Sequence, residues 1–165
     1  MGILDIFKKN PVFEINVLDL EDIDDKYYYN GALFSGRMNE YYESGKIAAT
    51  VMCKSGEMIS PLKEFYESGA IKKIRKFHKD DMVAETGYFE NGNLEFEIEY
   101  SNGRKVRRID YYPSGKVQKI KPYKFVERYN DDVPHGIETF YNENGDKISE
   151  AIWKNGMPDG SFDLY

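Results

Sequence analysis

The 165-residue chain has one domain's length, and its 41% hydrophobic and 32% charged side chains are the make-up of a soluble protein with a modest core. A net charge of −6 lacks the electrostatic footprint of a nucleic-acid binder, so no nucleic-acid partner is expected. No run of about 18 apolar residues exists, which excludes a spanning helix, and the single Cys53 excludes an internal disulfide.

In chain order, Met1 to Lys9 sets Ile3, Leu4, Ile6 and Phe7 at helical spacing before Lys8-Lys9 and Asn10-Pro11, which predicts a short amphipathic helix. So short a helix buries little area, and a cap over the first hairpin suits it better than a membrane-surface anchor. The start of the chain lacks the long apolar stretch and cleavage site of a secretory signal, so a cytoplasmic location is expected. Val12 to Leu18 reads as a strand, and Asp19 to Asp25 as an acidic, solvated connector. Residues 1–26 are thus expected to form a cap and connector, and 27–165 a single domain of about five to six hairpin repeats.

Within 27–165 one pattern returns: Tyr41-Tyr42-Glu43-Ser44-Gly45-Lys46-Ile47, then the same kind of turn at Gly69, Gly92, Gly115 and Gly145. The steps are 24, 23, 23 and 30, the signature of stacked supersecondary units. Ser-Gly or Asn-Gly between aromatic and aliphatic residues is a hairpin signal, because the tight turn needs positive φ. After Gly92, Leu94, Phe96, Ile98 and Tyr100 alternate with Glu95, Glu97 and Glu99, the period of a half-buried strand. A second class of turn is expected between units, at Asn30-Gly31, Ser55-Gly56, Asp80-Asp81, Asn102-Gly103, Asp131-Asp132 and Asn155-Gly156. Pro122 to Asp132 carries the extra length of the last step and predicts a bulge or longer loop. The last copy is a half-unit, expected to be a cap or an open edge strand through which a partner or a second copy could pair.

Turn motifs such as Asn155-Gly156-Met157-Pro158-Asp159-Gly160, alternating with Tyr-Tyr-x-Ser-Gly-Lys-aliphatic, resemble the bacterial variant of the MORN repeat over roughly residues 27 to 165. The resemblance implies an all-β fold, an elongated meander of stacked antiparallel β-hairpins, here with the short N-terminal helix added. More narrowly, the chain is similar to bacterial antitoxin or immunity proteins of the YwqK type, which implies direct binding and neutralisation of a cognate toxin. Members of the wider family linked to acidic lipids imply an alternative, a scaffold at a membrane surface.

The constellations of an enzyme are largely missing. His78 and His135 stand far apart and outside any metal spacing, and the glycines never gather into a phosphate-cradling loop. No catalytic residue, metal or cofactor is therefore assigned, and His135 reads as decoration of a turn. Cys53 reads as a small hydrophobe on the apolar side of its strand.

Charge is more informative, since residues 60 to 128 hold 15 Lys or Arg against 11 Asp or Glu in a chain that is acidic overall. Counted from each turn glycine, the second and eighth residues form an apolar stripe in the first four units: Ile47 and Cys53, Ile71 and Phe77, Leu94 and Tyr100, Val117 and Tyr123. The fourth and sixth share that face. They are apolar as Ala49 with Val51 and Phe96 with Ile98, but cationic as Lys73 with Arg75 and Lys119 with Lys121. Two readings follow: an open face ready for an anionic partner, or long stems that cover neighbouring rings while their charges reach water. The partner-binding residues expected on the first reading are Lys73, Arg75, Lys119 and Lys121, with Tyr42, Tyr66 and Tyr112 as aromatic contacts. The acidic ends would suit a basic toxin by electrostatic steering.

Overall fold

The computed structural model describes residues 12–79, 81–160 and 163–164. Among them the ordered elements are strands and two 3-10 turns, and no helix is long and apolar enough to cross a membrane. The helix expected over Met1 to Lys9 lies outside the described residues. The chain divides into two compact units, Met1–Ser60 and Pro61–Tyr165, so the boundary expected at 26/27 falls inside the first.

The first unit contains β1 (Glu14–Asn16), β2 (Glu21–Ile23), β3 (Lys26–Tyr29), β4 (Ala32–Leu33), β5 (Gly36–Tyr41), β6 (Ile47–Lys54) and β7 (Glu57–Met58). β5, β6 and β7 run antiparallel in sequence, whereas β1 pairs with β5 in parallel, Ile15 opposite Met38. Ile15, Phe34, Met38, Ala49, Val51 and Cys53 form a buried apolar core, and burial pushes the Cys53 thiol up from its ordinary range.

Two expectations about this unit are corrected. The strand expected over Val12 to Leu18 is only three residues long, because the Asn16 side chain accepts from Leu18 N and turns Val17–Asp19 into a 3-10 turn. The acidic connector is a hairpin: β2 pairs with β3 around Asp24 and Asp25, both left-handed, a conformation that short polar side chains tolerate.

The second unit contains β8 (Leu62–Phe65), β9 (Ile71–His78), β10 (Asp81–Tyr88), β11 (Leu94–Ser101), β12 (Arg104–Tyr111), β13 (Val117–Val126), β14 (Asp131–Pro134), β15 (Gly136–Tyr141), β16 (Lys147–Lys154), β17 (Met157–Pro158) and β18 (Asp163–Leu164). These strands form an antiparallel meander in chain order from β8 to β13, continuing to β15 and β16. The extra length after Pro122 is a hairpin arm rather than a loop: the far half of β13 turns through Glu127–Tyr129 and pairs with β14, Tyr123 opposite Pro134. The terminal β18 lies antiparallel on β16.

The turns explain why the sequence period becomes a structural one. In each of the five glycine turns the glycine N–H donates to the carbonyl three residues earlier, as Gly45 to Tyr42 and Gly145 to Asn142, with the glycine at φ between 80° and 95°. Each turn also carries a register shift one residue before the tyrosine or phenylalanine at its base, at Tyr41, Phe65, Tyr88, Tyr111 and Tyr141. The same turn therefore imposes the same bulge and pairing five times. The second class of turn falls as expected at Asn30-Gly31, Ser55-Gly56, Asn102-Gly103 and Asn155-Gly156, where both residues have positive φ. Two expected turns are displaced toward the N-terminus: Asp81 and Asp131 are already strand residues, and Lys79 and Asn130 take the left-handed conformation.

Candidate functional site

The turn register fixes which side chains share a face of the second unit. Glu64 stands opposite Lys73 and Leu62 opposite Arg75; Asp110 stands opposite Lys119 and Arg108 opposite Lys121. Between these two hairpins, Glu85 pairs with Arg75 on one side and Ile98 on the other, and Phe96 lies between Gly87 and Asp110. One face thus presents cations, carboxylates and rings in alternation.

The charged groups of this face hold one another. Arg75 pairs with Glu64 and, at 3.9 Å, with Glu85, which also receives Lys73 at 3.5 Å. Asp110 takes Arg108 at 2.7 Å and Lys119 at 3.2 Å. Glu138 is buried yet fully engaged, with Lys121 Nζ at 3.0 Å, Lys119 Nζ at 4.0 Å and Trp153 Nε1 donating at 2.7 Å. Charge-assisted pairs of this kind are stronger than neutral hydrogen bonds, and their geometry is fixed by strands rather than loops.

Rings complete the arrangement. A side chain on Gly87 would meet Phe96 Cε1 at 2.3 Å, so the absence of one leaves the room that the Phe96 ring occupies beside β10. Arg108 stacks on that ring at 4.3 Å from its centre, with Lys73 Nζ at 6.0 Å, while Lys121 sits 4.8 Å over Trp153 and Lys105 5.0 Å over Tyr123. Burial pushes the Tyr100 and Tyr123 hydroxyls above their ordinary range.

The structure therefore brings Lys73 with Arg75 and Lys119 with Lys121 onto one face, as the spacing predicts. It corrects the picture of bare cations, because every one of the four has a carboxylate within ion-pair reach. Glu64, Glu85, Asp110 and Glu138 were missing from the sequence reading. A signal for two of them was present: the residue five before each turn glycine faces the residue four after it, which places Glu64 on Lys73 and Asp110 on Lys119.

The three tyrosines have different surroundings. Tyr66 and Tyr112 donate from their hydroxyls to the carbonyls of Tyr88 and Tyr141, at 2.8 and 2.9 Å, and so tie one glycine turn to the next. Lys72 Nζ lies 5.7 Å from the Tyr66 ring centre. Tyr42, half-buried, closes its own turn through its N–H to Lys46 O. His135 stands beside a turn, its Nδ1 accepting from Asn155 N at 3.3 Å. Among the described residues no group of three or more His, Cys, Asp or Glu is placed to hold a metal ion.

No curated protein matches the chain in sequence. Among solved structures, a chain of the Glycosylation Associate Protein (Gap123) complex from Streptococcus agalactiae is similar over 76% of this chain, at 18% identity and a TM-score of 0.40. The likeness spans 22% of that protein's own length. Residues 84–102, 107–125 and 134–155 match the MORN repeat variant, three of the repeats that the turn glycines mark out.

Proposed function

We propose that the chain is a non-catalytic repeat module that binds another protein, and that the charged face of the second unit meets an acidic segment of that partner. One observation carries this reading. The cations stand higher than the carboxylates that hold them: Lys73, Arg75, Arg108, Lys119 and Lys121 keep 18–33% of their side chains exposed, against 3% for Glu138, 13% for Asp110 and 14% for Glu85. Only Glu64, at 25%, reaches outward to the same extent. A partner carboxylate would meet guanidinium and ammonium groups already fixed in place, so little side-chain freedom would be lost on binding. Rigid rings beside them add the aromatic component common at protein interfaces.

The test is a pull-down with the intact protein at two salt concentrations, with bound proteins identified by mass spectrometry, repeated with Lys73→Gln/Lys119→Gln. The expected result is one stoichiometric protein that is lost at high salt and weakened several-fold by the double variant, whose melting curve confirms that it folds. A partner held equally by both proteins at both salts overturns the assignment to this face.

The narrower reading, an antitoxin or immunity protein in the cytoplasm, rests on the residue likeness of the turns. It requires that the captured partner arrest growth when expressed alone and that co-expression of this chain restore it. The second reading, association with an acidic lipid surface, draws on the same outward cations. Flotation with anionic vesicles and no protein partner would favour it.

A further inference from the structure

The chain contains five Asn-Gly pairs, at Asn30, Asn91, Asn102, Asn144 and Asn155, all in exposed turns. Asn-Gly is the dipeptide most prone to cyclise, because glycine leaves its own amide nitrogen unhindered. That nitrogen, once deprotonated, attacks the asparagine side-chain carbonyl carbon; the bond to Nδ2 breaks and ammonia leaves. Water then opens the succinimide at either carbonyl, giving aspartate or isoaspartate.

The structure separates the five by what the glycine N–H is doing. Gly92 donates to Phe89 O at 2.9 Å, Gly145 to Asn142 O at 3.0 Å, and Gly156 to Pro134 O at 2.9 Å. A nitrogen so engaged must break that bond before it can lose its proton and turn toward the side chain. The N–H groups of Gly31 and Gly103 make no such bond among the described residues. Asn91 is further restrained at its side chain, with Nδ2 donating to Pro113 O and Oδ1 accepting from Asn93 N. Nothing stands within 4 Å of the space beside Gly31, at the tip of a hairpin whose second strand is two residues long.

We infer that Asn30-Gly31 and Asn102-Gly103 are selective sites of spontaneous conversion to aspartate or isoaspartate, while the other three pairs are protected by their turns. Isoaspartate inserts one backbone methylene into a two-residue turn that has no slack. At Gly103 the new carboxylate would also arise beside Asp81, whose side chain already lies against that glycine.

The intact protein is incubated at mildly alkaline pH, folded in one arm and in guanidinium chloride in the other, and each site is followed by peptide mass spectrometry. In denaturant the five sites should convert at similar rates, since each has the same following residue. In the folded protein Asn30 and Asn102 should lead the other three on the order of fivefold, the worth of one retained hydrogen bond. Equal rates in the folded arm, a lead by Asn91, Asn144 or Asn155, or no folded-state conversion at Asn30 and Asn102 would each overturn the inference.

Discussion

Set side by side, β5–β6 and β15–β16 share one backbone plan a hundred residues apart, yet their inward faces differ in kind. Gly56 N donates to Phe34 O at 2.8 Å in the first, and Gly156 N to Pro134 O at 2.9 Å in the second. Ser35 Oγ accepts from Ser55 N where His135 Nδ1 accepts from Asn155 N. Inside, Met38, Ala49, Val51 and Cys53 are replaced by Glu138, Ser149, Ala151 and Trp153. Turn and bulge alone thus set the hairpin, leaving its inward face to be apolar or ionic. What decides is the neighbouring strand, which offers Ile15 to Met38 but Lys119 and Lys121 to Glu138.

The largest effect is expected from writing the second hairpin into the first. Met38→Glu places a carboxylate where Ile15, Val51 and Cys53 offer no cation, and a buried charge without a partner is among the most damaging single changes. The expected loss is about 4 kcal/mol or more, enough to unfold the first unit, read as a collapse of its transition in urea monitored by circular dichroism.

The reverse exchange removes the buried carboxylate. Glu138→Ala strips Lys121 and Trp153 Nε1 of their acceptor, and the expected loss is about 3 kcal/mol in denaturant unfolding. Adding Lys121→Leu to Glu138→Met should recover most of it, because an apolar pair of similar volume often replaces a buried ion pair without loss. If the double variant is no more stable than Glu138→Ala, the ionic interior is required for the fold and not merely tolerated by it.

The glycine turns, their period and the second class of turn at Asn-Gly and Ser-Gly were legible because glycine and asparagine fix local φ wherever they stand. The face of Lys73, Arg75, Lys119 and Lys121 was legible too, since strand alternation is local. Their neutralisation was not. Glu85 and Glu138 come from the next hairpin, and only strand pairing beyond the turn brings them within reach. Nor did composition reveal that the acidic run at Glu21–Ile23 forms a strand, because charge alone reads as a solvated loop.

A smaller effect tests the seams between hairpins. Tyr66 and Tyr112 tie turn to turn through their hydroxyls, whereas at Phe89, which has none, Asn93 Nδ2 bonds Pro113 O at 2.7 Å instead. Tyr112→Phe removes one such bond and should cost about 1 kcal/mol. Hydrogen exchange should quicken at Asn142 to Asp146 and leave the first unit unchanged.

The smallest effect concerns two tyrosines at equivalent bulges. Tyr41 Oη accepts from Asn39 Nδ2 at 3.2 Å, while Tyr111 donates to Glu97, so only the second must keep its proton to hold its bond. Burial first, then the hydrogen bond and charge of Glu97, pushes the Tyr111 hydroxyl up to about 12 from 10.0. A raised value in the folded state means the neutral form is the one the fold favours, so this contribution is complete below pH 10 and is lost as pH rises from 10 to about 12. Ultraviolet titration should show that Tyr111→Phe removes one phenolate from the late part of the curve, where the buried Tyr100 and Tyr123 also titrate above their ordinary range, with a shallower alkaline loss of stability in that variant. A wild-type curve that Tyr111→Phe leaves unchanged above pH 10 would show that Glu97 does not hold this proton, and that the two bulge tyrosines differ in partner but not in chemistry.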